Sequence, residues 1–558
     1  MTTYNVTSGQ TTSGLVLNNQ DYEYIYDGGI ASGTIVNGGG WEYIYYGGIA
    51  SGTILNNSGY EYIYDGGIAS GTVVDNGGTE NIYSGGIANG TVIVNWGTEN
   101  IYSGGVASGT IVNWGTENIS AGGIAIGTVV SGGRENINSG GIASGTIVNS
   151  GGTENISAGG IASGTIVNSG GYILMDLVSG FTKSGSNGEY VINGVTVHSG
   201  ANLSLSLHDG ATFSGLVVNS GCYESINSGG IASGTVVNSG GYEYIGAGGI
   251  AIGTVVNYGG SEQISFGGIA SGTILNNGGG ENITFAGLAI GTVVNSGGVQ
   301  TISAVGLASG TIVNSGGVEV ITSGGIASGT IVNSGGQETI AAGGISSGSI
   351  VNNGGVLNIE LSSGSTSGGS GSYIIKGVTI NNGGIVEVTV DSLATISGFI
   401  LNNDSYDIVY GVAKNTIINN GGTESIQLGG RSLGANVNSG GSMLIYGNAV
   451  SASINSGGYD YVQAGGVTSG TTVNGGYEFI YGVANSTTVN AGGYEYVYGV
   501  TNGTIINNGG SEIVYGIANN TTVNSGGYEF VNSGTVANNV LVNSGVRWLS
   551  QPHQPLKA

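Results

Sequence analysis

A glutamate returns along this chain about every 19 residues. It stands at Glu23, Glu42, Glu61, Glu80 and Glu99, then at Glu117, Glu135 and Glu154, and later at Glu224, Glu243, Glu262, Glu281, Glu319 and Glu338. Carboxylates in a column suit two kinds of chemistry: a ladder of divalent cation sites, or the acid and base pair of a glycoside hydrolase. If equivalent residues stack one strand apart, about 4.8 Å, neighbouring charges repel. The repulsion is about 0.9 kcal/mol even in bulk water. The column is therefore expected on a solvated face or neutralised by cations, with Glu23, Glu42, Glu61, Glu80 and Glu99 as the metal candidates. The Asp-containing nonapeptide of Ca²⁺-binding β-rolls is absent, which favours the solvated face. A hydrolase pair should be unique, whereas these glutamates are monotonous. No catalytic residue is assigned, and the chain is read as a non-enzyme without a cofactor.

The other chemically distinctive residues are few. His198, His208 and the adjacent Asp209 lie in one irregular segment, and His553 lies near the end. A metal or acid–base site is conceivable there, but exposed turn histidines are the expectation. The one cysteine, Cys222, allows no internal disulfide. Tyrosine is abundant, with 31 copies clustered towards both ends. Tyr24, Tyr26, Tyr43, Tyr45, Tyr62 and Tyr64, with Tyr496 and Tyr498, flank Ile or Val at strand parity, so they should face outward as an aromatic ladder. Such a ladder either stabilises the sheet by stacking or forms a contact stripe for glycans or another solenoid.

What positions these residues is a repeat reading Gly-Gly-Ile-Ala-Ser-Gly-Thr-Ile-Val-Asn-x-Gly-Gly-x-Glu-x-Ile. Its Ile marker falls at Ile30, Ile49, Ile68 and Ile87, and resumes at Ile231, Ile250 and Ile269. The period is too short for two helices and a turn. It suits one coil of an all-β parallel β-helix (β-solenoid), in which each coil touches only its neighbours. Gly and Asn accept positive φ and mark the corners. The Ile marker, the following Ala and the later Ile-Val pair are the most uniform columns, so all are expected to point inward. The looser column at Ser32 is expected outside. Asn37, Asn149, Asn168 and Asn238 are read as turn formers with stacked amides. About 25–28 coils are expected, roughly 120–135 Å of stacked strands.

Two longer irregular spacers interrupt the repeats, at 172–222 and 356–405, and resemble each other. They divide the chain into three modules, 1–171, 172–355 and 356–558. In the third module the repeat shortens to about 17 residues, with a tail at 546–558. The 119 glycines lack a three-residue period and only 2 prolines are present, which excludes collagen. With 39% hydrophobic residues in register, disorder is excluded too. The formal net charge of −25 argues against nucleic acid and anionic membranes as partners. No apolar run is long enough for a membrane span. The first residues do not read as a signal peptide, so export by another route, or a place within a longer product, is expected.

The recurring Ala-Ser-Gly-Thr-Ile-Val-Asn-Ser-Gly-Gly-x-Glu, as at residues 143–154, resembles the AIDA-type repeat of bacterial autotransporter adhesins and their self-associating relatives. The resemblance implies a β-helical passenger at a Gram-negative cell surface or released outside the cell. Its implied roles are adhesion, autoaggregation and biofilm formation. The implied partners are other copies of the solenoid and surface glycans or proteins. It also implies glycosylation of repeat serines by a glycosyltransferase, the matching positions being Ser32, Ser51, Ser70, Ser108, Ser144 and Ser163. The alternatives are a polysaccharide-active β-helix enzyme with one acidic cleft in a spacer, or an ion-binding repeat module whose flat face carries Thr34, Thr53 and Thr72.

Overall fold

The structure is a computed structural model that describes residues 1–186, 189–361, 379–380, 385–392, 394–402 and 404–543. The 546–558 tail with His553, and residues 362–378 and 381–384 of the second spacer, lie outside the described residues. The described residues form about 27 turns of parallel β-solenoid at a spacing of about 19 residues, with no helix. They divide into two units, Met1–Ser271 and Gly272–Ala558.

In the first unit each coil has three short strands. Tyr22–Ile25, Ile30–Ser32 and Ile35–Val36 make one coil. Each pairs in parallel with its equivalent in the next coil: Glu23 with Glu42, Ala31 with Ala50, Val36 with Leu55. Two-residue glycine corners explain why so short a coil closes. Gly28 takes a left-handed φ of 70°, which an L side chain resists. A Cβ on the following Gly29 would lie 2.3 Å from the carbonyl oxygen of Val6 in the preceding coil. One glycine thus supplies the bend and the other the close approach between coils.

Five side chains per coil point inward: Glu23, Ile25, Ala31, Thr34 and Val36 are all fully buried. Leu17, Val36, Leu55, Val74, Ile93, Val112 and Val130 form one continuous apolar column, and burying each aliphatic side chain contributes about 1.5–3 kcal/mol. The expectation that the Ile marker and both residues of the Ile-Val pair point inward is corrected: the marker and the first residue of the pair face outward, Ile54 being 37% exposed and Ile111 44%. Ile30 and Ile49 are 42% and 39% exposed, while the neighbouring Ala31 and Ala50 carry the core. The three-residue strand alternates out, in, out, and its inward place is held by the small Ala31 and Ala50. Column uniformity reports stacking between coils, and that occurs on the outer surface as well as inside. The Ser32 column faces outward as expected, and the Asn amides stack as expected, Asn37 Nδ2 donating to Asn18 Oδ1 at 3.1 Å.

The first spacer widens the sheet. Tyr172–Leu177 and Asn202–Leu207 have six residues where Thr153–Ile156 has four. Met175 pairs with Ile156 below and Leu205 above, yet Leu205 then pairs with Glu224. The inward column that begins at Ile156 therefore continues into the Glu column: the sheet steps sideways by two residues. Between the long strands the chain makes an antiparallel excursion, Lys183–Ser186 against Glu189–Ile192, and rejoins the wall where Thr196 faces Ile166.

In the second unit a buried apolar column runs through Leu401, Ile418, Val437, Ile454, Val473 and Val489. Here coils shorten, Tyr477 pairing with Tyr494 and Tyr494 with Ser511. The lost residues come from one corner. The amides of Tyr481 and Gly482 both donate to the Val462 carbonyl, at 2.7 and 3.0 Å, so a single glycine makes the turn.

Candidate contact surface

The outward tyrosines form stacked columns. Tyr24, Tyr43 and Tyr62 follow one another with ring centroids 5.1 and 4.9 Å apart. Tyr26, Tyr45, Tyr64, Tyr83 and Tyr102 form a second column at 5.4, 5.1, 5.1 and 4.8 Å. In the second unit Tyr461, Phe479 and Tyr496 repeat the arrangement at 5.2 and 5.0 Å, as do Tyr481, Tyr498 and Tyr515 at 4.9 and 5.0 Å. Ring planes within a column lie within 18° of parallel. The ring faces are therefore occupied by one another, and what the ladder shows to solvent is ring edges and phenol hydroxyls. Burial among the rings pushes the Tyr43 phenol up to about 12, so the ladder offers neutral O–H groups.

The six matching serines lie in one column. Ser32 pairs with Ser51 and Ser51 with Ser70; Ser144 pairs with Ser163. Asn89 and Ile126 replace serine on either side of Ser108. All but the half-buried Ser108 are exposed.

The glutamate column overturns its expectation. Glu23, Glu42, Glu61, Glu80 and Glu99 are fully buried, on no solvated face. Strand parity is the reason: Glu23 lies two residues before the inward Ile25 and so shares its side. The threonines of the facing wall receive the column. Thr34 Oγ1 donates to Glu23 Oε2 at 2.9 Å, Thr53 to Glu42 at 2.9 Å, Thr72 to Glu61 at 3.1 Å and Thr110 to Glu99 at 3.1 Å. Thr34, Thr53 and Thr72 are thus interior hydrogen-bond donors, which removes the flat threonine face that an ion-binding repeat module would use.

Burial pushes these carboxyls up, Glu42 to about 8 and Glu117 and Glu154 to about 7, with Glu61, Glu99 and Glu135 well above the ordinary range. The Oε1 atoms of Glu42, Glu61, Glu80 and Glu99 receive no N–H or hydroxyl donor. A proton retained on a raised carboxyl such as Glu61 supplies one, so Glu42, Glu61 and Glu99 belong to an interior run of proton-sharing acids. Twenty of the 32 acidic residues are buried in this way. The formal charge of −25 therefore overstates the charge of the surface.

His208 Nδ1 lies 2.9 Å from Asp209 Oδ2 at the surface, and His198 is exposed. Among the described residues no group of three His, Cys, Asp or Glu side chains is placed to hold a metal ion, and no helix is long and apolar enough to cross a membrane.

Residues 284–336 match the family model described as the adhesin of the bacterial autotransporter system, probable stalk. The AIDA-type resemblance of the repeat is thereby borne out. Twelve solved chains match. One is a fragment of TibA, residues 55–350, crystallised in a TibC-catalysed, hyper-glycosylated form; it is 25% identical, covers 70% of this chain and all of its own, and has a TM-score of 0.29. No curated protein matches the chain.

Proposed function

We propose that this chain is a non-enzymatic adhesin of the bacterial cell surface or its exterior, and that it promotes adhesion, autoaggregation and biofilm growth through its flanks. The observation that carries the reading is the pair of outward aromatic ladders, one in each unit. Each sets phenol hydroxyls and ring edges at strand spacing, as the Tyr26 to Tyr102 column does. Many weak polar contacts along such a column become strong by multivalency. Copies of the same flank suit one another, because a phenol hydroxyl both donates and accepts.

The test is settling of cells that display the chain. Cells carrying it should clump, and removing coils in whole repeats should weaken clumping in steps. Clumping that survives loss of half the coils would sink the proposal. The exposed serine column further supports glycosylation at Ser32, Ser51, Ser70, Ser144 and Ser163. Intact-mass measurement after coexpression with a glycosyltransferase should show added sugar that disappears with Ser→Ala changes. We also retain the three-module reading, 1–171, 172–355 and 356–558; each module begins with spacer-like sequence.

A further inference from the structure

The surface of the first unit is largely repetitive, and several departures from the repeat gather at one depression. The sideways step at the first spacer leaves a hollow of about 310 Å³ on the outer face of the sheet. This lies at the small end of the range for ligand pockets. Arg134 stands on one side, in the column otherwise held by Thr98, Thr116 and Thr153. Asp176 stands on the other, on the part of Tyr172–Leu177 that extends beyond Ile156. The two side chains form no ion pair with each other. Ser206 and Tyr223 complete the polar rim, and Leu174 lies between.

Asn155 adds a directed acceptor. Asn100, Asn118, Asn136 and Asn155 form a ladder in which each Nδ2 donates to the Oδ1 of the preceding coil, at 3.1, 3.0, 2.8 and 2.7 Å. At the next rung stands Leu174, paired with Asn155. The ladder therefore ends with Asn155 Oδ1, an oxygen polarised by the chain of amides behind it, at the edge of the hollow.

We propose that this hollow is a binding site for one neutral sugar unit of a glycan. The proposal rests on the adhesin reading and names its receptor chemistry. A pyranose presents adjacent hydroxyls that donate and accept in pairs. Asp176 offers two acceptors in a fork, Arg134 a fork of donors, and Asn155 a terminal acceptor. Leu174 and the Tyr223 ring supply the apolar surface for the C–H face of the sugar. A neutral ligand fits a rim that carries one free cation and one free anion. One sugar unit in an open hollow implies a dissociation constant on the order of 1 mM.

The experiment is saturation-transfer NMR on the full chain. The probes are the methyl glycosides of galactose, glucose, mannose and N-acetylglucosamine, with methyl glucuronide as the acidic comparator, each at about 10 mM, well above that constant. At least one neutral glycoside should receive saturation. Arg134→Gln and Asp176→Asn should each weaken that binding about tenfold or more, whereas Asp65→Asn on the regular repeats should leave it unchanged. Both altered side chains are exposed, so folding is preserved and thermal unfolding checks it. The site is overturned if no neutral glycoside receives saturation, if only the glucuronide does, or if either site variant binds undiminished. The settling assay separates the two readings. Wild-type cells that clump while the glycosides fail to bind leave the adhesin standing without this site, and glycoside binding without clumping does the reverse.

Discussion

Gln300 stands in the glutamate column of the second unit, donating from Nε2 to Glu281 Oε2 in the preceding coil and accepting from Thr311 Oγ1 at 2.9 Å. An amide replaces a carboxyl here because it both donates and accepts. An ionised carboxylate can only accept, whereas a protonated carboxyl does both. The substitution that the chain itself contains thus matches an interior column that keeps its protons.

Stability should fall as pH rises. The buried carboxyls keep folded-state pKa values above the ordinary 4.5: about 7 for Glu478 and Glu512 and about 8 for Glu42 and Glu319. Between 4.5 and those values the native chain binds more protons than the unfolded one, so their stabilisation is full below pH 4.5 and is lost as pH rises through about 7–8. Thermal unfolding midpoints should be higher at acid than at alkaline pH. The opposite order would contradict a protonated interior.

Replacing Glu61 separates charge from shape. Glu61→Gln should reproduce the Gln300 arrangement, cost little in acid, and flatten the dependence of stability on pH. Glu61→Ala leaves a cavity and orphans the Thr72 hydroxyl, and should cost about 2–5 kcal/mol at any pH. Denaturant unfolding of the two variants at several pH values checks both.

The orientation of the marker strand gives a third contrast. Ile87 is 38% exposed and Ala88 fully buried. Ile87→Thr should change stability by about 0.5 kcal/mol or less, while Ala88→Leu should cost about 1–3 kcal/mol by overpacking. Equal effects would count against the alternation described here.

Within the Tyr26 to Tyr102 column, Tyr64→Ser removes stacking on both sides, against Tyr45 and Tyr83. Loss of about 0.5–1.5 kcal/mol per pair is expected, together with slower settling of displaying cells. Tyrosinate absorbance should also appear at higher pH in the native chain than after unfolding, since the phenols of Tyr43, Tyr45, Tyr62 and Tyr64 are all raised by burial.

Much of this was legible in the sequence. The period fixed the coil, and Gly-Gly fixed the corners. Strand parity around Ile25 placed Tyr24 and Tyr26 outside. The same parity places Glu23 inside; the expectation of a solvated column followed charge where geometry should have ruled, and overlooked that Thr34 offers a donor from the facing wall. The Ile30 column misled because exposed aliphatic residues also stack from coil to coil. The hollow beside Arg134 was not legible, since it arises from a two-residue step in pairing between Met175 and Glu224 that no local pattern announces.

The buried acid column makes folding a proton-uptake reaction near neutrality. Hydrogen ions then act as a ligand that only the native chain holds, and by mass action their supply shifts the balance towards it. A mildly acidic niche would harden this chain without any change of sequence, partner or metal.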